Sequence, residues 1–151
     1  MKLHRLTLAK YADTAFTGEG SRRVGSRWTP VGYPVVYMAS SIALAVLETL
    51  VHADWSVLPR HCVIPVKVPS TIPIASVDIE ALPTDWRATP PPVSLQQFGR
   101  DWLNTGEAVL LRVPSVLVPQ EFNFILNPAH LDFHSLTIGV PDDFGIDPRL
   151  R

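Results

Sequence analysis

Apolar and polar positions alternate from the first residues. Leu6 and Leu8 share one face of Lys2 to Ala9 and Arg5 takes the other, which predicts a strand. Tyr11 to Val24 has no such period and is rich in Gly, Thr and Ser, so a loop is expected. The next ten residues, GSRWTPVGYP from Gly25 to Pro34, hold two glycines and two prolines and predict a rigid, non-repeating turn. Val35 to Met38 reads as a short strand. Ser40 or Ser41 then stands where a helix cap belongs, and the helix is expected to run to about Ala53. Ile42 to Leu47 is apolar on every side, which predicts a buried helix.

Alternation returns at Cys62, Ile64, Val66 and Val68, with Pro65 pushing that strand toward an edge or a bulge. Pro69 to Pro92 reads as irregular, and Pro90 to Pro92 as a stiff extended connector. Ser94 is placed to cap a second helix that ends at Gly106, with Leu95, Phe98 and Trp102 at helical spacing facing the core. Ala108 to Val113 predicts a buried strand, Val116 to Val118 and Phe122 to Leu126 two short ones, and Leu136 to Val140 a last one. Pro141 to Arg151 is expected to be loop. Strands outnumber helices and do not alternate with them, which predicts an α+β fold in a single domain, 1–151.

Composition narrows the class. A chain of 151 residues, 46% hydrophobic and 18% charged, can bury a core without disulfides or metals. Fifteen prolines argue for short strands and irregular connections. A net charge of −1 gives no basic excess for nucleic acid. The longest apolar run, Ile42 to Leu47, is too short to cross a bilayer, and Met1 to Arg5 lacks the apolar core of a secretory signal. With one cysteine, Cys62, the expectation is a cytoplasmic protein without direct membrane contact.

Two residues stand out chemically. Arg27 sits in the stiff turn, where a guanidinium suits bidentate binding of phosphate or carboxylate; an ordinary surface arginine is the alternative. Glu48 follows six apolar residues of the first helix, and a carboxylate there must meet a cation or a cleft unless it lies in an exposed last turn or pairs with His52. Tyr37 is either core or an aromatic wall. Ser115, in VPSVLVP, has no G-x-S-x-G elbow and reads as a strand-end turn residue. His130, Asp132 and His134 lack the helical H-E-x-x-H spacing, so no metal site is expected. Cys62 reads as a packed thiol, and neither a P-loop nor a G-x-G-x-x-G fingerprint is present.

Five stretches together resemble the RES domain family, named for its Arg, Glu and Ser. LHRLT resembles the family's opening strand with its arginine, Arg5. GSRWTPVGYPVVYMASS matches with Arg27 and Tyr37, and ALAVLETLVH with Glu48. GRDWL resembles the short helix before the last strands. LRVPSVLVPQEFNFILNPAHLDF matches with Ser115 and the closing Asn127, Pro128 and His130. The resemblance runs from Lys2 to Phe133. The sequence departs where the family often has Gly, at Ser26, and Asn, at Thr29.

The resemblance implies an ADP-ribosyltransferase-like fold, with a split, mostly antiparallel sheet and a few short helices around a cleft for NAD. It implies the toxin of a type II toxin–antitoxin pair, consuming NAD as substrate by hydrolysis or phosphorolysis, with ADP-ribosyl transfer to a host protein as the alternative. It also implies an Xre-type antitoxin partner and a homodimer within a larger complex. The catalytic set it implies is Arg27, Glu48 and Ser115; the NAD-binding set is Arg5, Arg27, Trp28, Tyr37 and Ser115. Arg27 would meet the pyrophosphate and Tyr37 the nicotinamide. Glu48 would stabilise the charge that develops on the ribose, and Ser115 would fix the pose without acting as nucleophile.

Overall fold

In the computed structural model, which describes residues 1–52 and 59–150, eight strands among the described residues join one sheet. They are β1 (Lys2–Leu8), β2 (Val36–Ala39), β3 (His61–Lys67), β4 (Ile74–Ser76), β5 (Leu110–Pro114), β6 (Phe122–Leu126), β7 (Thr137–Ile138) and β8 (Asp142–Phe144). The order is β4-β5-β6-β2-β1-β3-β7, with β8 also on β3, and every pairing is antiparallel except β4 with β5. Among the described residues three α-helices accompany it: α1 (Glu19–Val24), α2 (Ile42–Leu50) and α3 (Leu95–Thr105). The expected α+β class, with a mostly antiparallel sheet and few helices, is what the chain adopts.

The sheet is split in the middle. β1 pairs with β3 along its whole length, from Lys2 opposite Lys67 to Leu8 opposite His61, but meets β2 at one register pair, His4 opposite Ala39. Strand alternation then sorts the side chains. Val36, Met38, Leu110, Phe124 and Leu126 join Leu3 and Val66 in a core on one face. On the other face Val35, Leu111, Val113 and Ile125 pack under α3 with Trp28, Leu95 and Trp102. Leu6, Ala39 and Val63 pack beneath Leu44 and Ala45 of α2.

The sequence reading needs correction in several places. Tyr11 to Val24 is not all loop: it holds a 3-10 turn, Ala9–Thr14, and α1. Glu19 grips Arg22 at 2.6 Å and Arg23 at 2.9 Å, the i+3 and i+4 spacings that favour a helix. The helix α2 is buried on one side only, since Leu47 is 40% and Val51 53% exposed. Ser41, not Ser40, caps it by accepting from the Leu44 amide at 3.1 Å; the expected end at Ala53 lies outside the described residues. Pro65 sits inside β3 rather than in an edge strand. Its carbonyl, which accepts from the Gly139 amide, shows that its missing N–H faces the gap between β7 and β8.

The other differences are local. Pro69 to Pro92 contains β4 and a 3-10 turn, Ile79–Ala81. Val116 to Val118 is a turn, the last strand shrinks to β7, and β8 appears in the expected tail. Ser94 precedes α3 without a side-chain cap, whereas Gly106 ends it in the left-handed conformation at φ 61°.

Close packing fixes the Gly25–Pro34 turn, which forms no regular element. At Gly99 of α3 a Cβ atom would stand 2.1 Å from the Trp28 carbonyl oxygen and 2.8 Å from Thr29 Cγ2. Helix and turn thus touch backbone to backbone, and the Gln96 side chain adds a hydrogen bond to the Ser26 carbonyl at 2.9 Å.

Candidate functional site

The site forms on the helical face, where the end of α2, the Gly25–Pro34 turn and β2, β5 and β6 converge. Glu48 is half-buried near the end of α2. Its Oε1 accepts two hydrogen bonds, from Ser115 Oγ at 2.7 Å and from Asn123 Nδ2 at 2.6 Å. Ser115 directly follows β5 and is fully buried. Its hydroxyl also accepts the Leu117 and Val118 amides, each at 3.1 Å. A serine hydroxyl has one proton and two lone pairs, so this one is fully committed.

Ser26 organises the turn. Its Oγ accepts from the Tyr37 hydroxyl at 2.7 Å and from the Thr29 amide at 3.0 Å, and lies 2.7 Å from Thr29 Oγ1. Burial pushes the Tyr37 phenol up to about 12, against the opposing pull of its bonds to Ser26 and the Trp28 amide. Tyr37 is therefore a neutral, fixed ring at neutral pH.

Arg27 projects from the same turn, half-buried. Its Nη1 donates to the carbonyls of Trp86 at 2.8 Å and Ala88 at 3.1 Å. Burial draws the guanidinium below its ordinary value, while the nearby charge of Glu48 acts the other way. It stays a cation. Those mutual influences place Arg27, Tyr37 and Glu48 within electrostatic reach of one another.

Two other candidates stand apart. Arg5 fills the split between β1 and β2, where its Nη1 donates to the Tyr37 carbonyl at 3.1 Å. Its Nε is buried without a partner among the described residues, and burial lowers its proton affinity. Arg5 thus reaches the site through the backbone of β2. Trp28 is 3% exposed and packs edge-on against Phe98 at 6.5 Å, so it supports the turn from below and offers no open face.

The remaining residues with chemistry are engaged elsewhere. Nε2 of His130 lies 2.9 Å from the Gly106 carbonyl oxygen, and its Nδ1 accepts the Asp132 amide. Cys62 is buried, and burial, then the charge of Asp143, pushes its thiol up. Among the described residues no cluster of three His, Cys, Asp or Glu gathers to hold a metal, and no helix is long and apolar enough to cross a membrane. A cavity of about 370 Å3 beside Asp78, Arg112, Pro119 and Phe122 opens on the opposite face of the sheet, since Arg112 pairs with Phe124 across β5 and β6.

A family model described as RES domain matches residues 2–147. The chain belongs to the RES domain family. This RES domain is 42% identical over 152 residues to a protein named Toxin Res from Photorhabdus laumondii, spanning 99% of this chain and 97% of that one. It is 37% identical over 153 residues to a Toxin Res from Yersinia enterocolitica, with 100% of both chains covered. It is 37% identical over 144 residues to a Prs ADP-ribosylating toxin from a Sphingobium species, covering 93% of this chain and 89% of that one. Its fold is similar to a chain in the crystal structure of the M. tuberculosis MbcT–MbcA toxin–antitoxin complex. The TM-score is 0.77 at 17% identity, over 99% of this chain and 85% of the other.

Within this RES domain, sequence reasoning missed Asn123 and the anchoring role of Ser26. Asn123 did leave a signal: it is polar, two residues before Ile125, on the strand face that packs inward. The carbonyls of Trp86 and Ala88 that hold Arg27 left none, because any residue supplies a carbonyl.

Proposed function

We propose that this RES domain is the toxin of a toxin–antitoxin pair and cleaves the nicotinamide–ribose bond of NAD. The observation that carries the reading is a carboxylate, Glu48, held by two donors on one face of the sheet beside the Arg27 cation and the Tyr37 ring. The two carbonyl bonds on Nη1 fix one corner of the Arg27 guanidinium, and its other N–H groups suit a pyrophosphate. The Tyr37 ring gives a flat wall for the cationic nicotinamide. When the glycosidic C–N bond breaks, its electron pair goes to the nicotinamide nitrogen and positive charge grows on the ribose, where Glu48 stabilises it. Water then adds to the anomeric carbon and loses a proton, giving ADP-ribose.

Phosphate in place of water gives the phosphorolysis product. Transfer to a protein side chain is the second reading, favoured by the name of the Sphingobium relative. Ser115 is committed to Glu48 and to its own turn, so it enters as a positioning residue, and Arg5 enters by holding β2. An Xre-type antitoxin and self-association belong to the same proposal. The exposed Leu47 on α2 and Val51 just past its end offer apolar surface near Glu48 for such a partner.

Expression in a bacterial host should arrest growth while cellular NAD falls early. Arrest at normal NAD would overturn NAD depletion. Arg27→Ala should raise KM for NAD as well as lower kcat, because a pyrophosphate contact exists before and during bond breaking. Steady-state kinetics across NAD concentrations checks this; an unchanged KM removes Arg27 from substrate binding.

A further inference from the structure

We propose that Asn123 is a positioning residue for the reaction: with Ser115 it pins Oε1 of Glu48 and leaves Oε2 as the oxygen that serves the ribose. The inference rests on the NAD-cleaving reading and extends it to a residue outside the Arg, Glu and Ser set.

Both hydrogen bonds on Glu48 converge on the same oxygen, at 2.7 Å from Ser115 and 2.6 Å from Asn123. A single donor leaves a carboxylate free to pivot. Two donors, one in β6 and one in the turn that follows β5, fix the plane of the group and the direction of its second oxygen. The donors are themselves rigid. Asn123 lies in β6 between Ala39 of β2 and Val113 of β5. Ser115 is locked by the amides of Leu117 and Val118 and by its own N–H to the Glu121 carbonyl at 2.9 Å. Among the described residues Oε2 accepts no hydrogen bond. Neutral donors suit the task because they hold the carboxylate without cancelling its charge, as a second arginine would.

The test is a double-mutant cycle on nicotinamide release from labelled NAD. Asn123→Ala should lower kcat by about 10- to 100-fold, the scale of a misplaced catalytic group, with KM for NAD changed by less than about threefold. Asn123→Asp keeps the shape but replaces the donor with a second carboxylate, so it should be no better than Asn123→Ala at neutral pH. It carries the test if the alanine variant does not fold. In a Glu48→Gln background, which lacks the charge to be aimed, either Asn123 substitution should cost less than about threefold further. Equal losses in both backgrounds, a KM change with kcat intact, or recovery of activity in Asn123→Asp would overturn the proposal. Absence of nicotinamide release from the unsubstituted protein would overturn the NAD reading, and this inference with it.

Discussion

Glu48→Gln is expected to fold normally and lose nearly all NAD turnover. The glutamine carbonyl takes the place of Oε1 and accepts both the Ser115 hydroxyl and the Asn123 amide, so the local hydrogen bonds survive. Removing a charge from a half-buried position between apolar elements does not threaten the fold. What disappears is the negative charge that the proposed mechanism sets beside the breaking bond. Losing one such electrostatic stabiliser costs on the order of 10²–10³-fold in kcat. Circular dichroism and thermal melting verify the fold, and nicotinamide release gives the rate. A folded variant with near-normal kcat would take Glu48 out of the mechanism.

Gly99→Ala is expected to damage both stability and activity, although Gly99 touches no proposed ligand. The added methyl would stand 2.1 Å from the Trp28 carbonyl oxygen, and the obstacle is backbone, which cannot swing aside. Alanine improves helix propensity by up to about 1 kcal/mol. Overpacking against a fixed wall costs about 1–3 kcal/mol or more, so the sign is unfavourable. Relief requires α3 and the Gly25–Pro34 turn to separate, and that turn carries Arg27 and the Ser26 that holds Tyr37. A drop of several degrees in melting temperature with a fall in kcat/KM is expected. Gly20→Ala in α1, where nothing lies within 4 Å of the added Cβ, should leave kcat/KM unchanged and, through the same helix propensity, keep or slightly raise the melting temperature. Equal behaviour of the two variants would show that the turn does not depend on this contact.

Much of this architecture was legible from the chain. β1 and β3 appear within a residue or two of their alternating patterns, because alternation reports which face of a strand is buried, and β2, β5 and β6 within two residues of the short apolar stretches that predicted them. The end of α3 was readable because Gly106 adopts the left-handed conformation that terminates helices. What failed depended on neighbours. α1 hid in a polar stretch because pairing of Glu19 with two arginines, not an apolar stripe, supports it. Pro65 misled because its effect depends on which strand faces its missing N–H. The apolar run of α2 implied all-round burial, yet tertiary packing covers only part of that helix.

The site divides along the same line. Arg27 and Glu48 were visible as a cation in a stiff turn and a carboxylate in an apolar helix. Trp28 entered the NAD-binding set through the family resemblance; in the fold it is 3% exposed and packs edge-on against Phe98. Asn123 and Ser26 act through contacts with residues 75 and 11 positions away, which no local pattern encodes.

The central claim is the proposal that Arg27, Tyr37 and Glu48 together break the nicotinamide–ribose bond of NAD. The most direct measurement is to incubate the purified chain with NAD alone, without any acceptor protein, and quantify free nicotinamide over time. The account predicts continuous release over many turnovers, matched by ADP-ribose in equal amount. NAD that stays intact, or release that stops after one equivalent as the chain modifies itself, would contradict it.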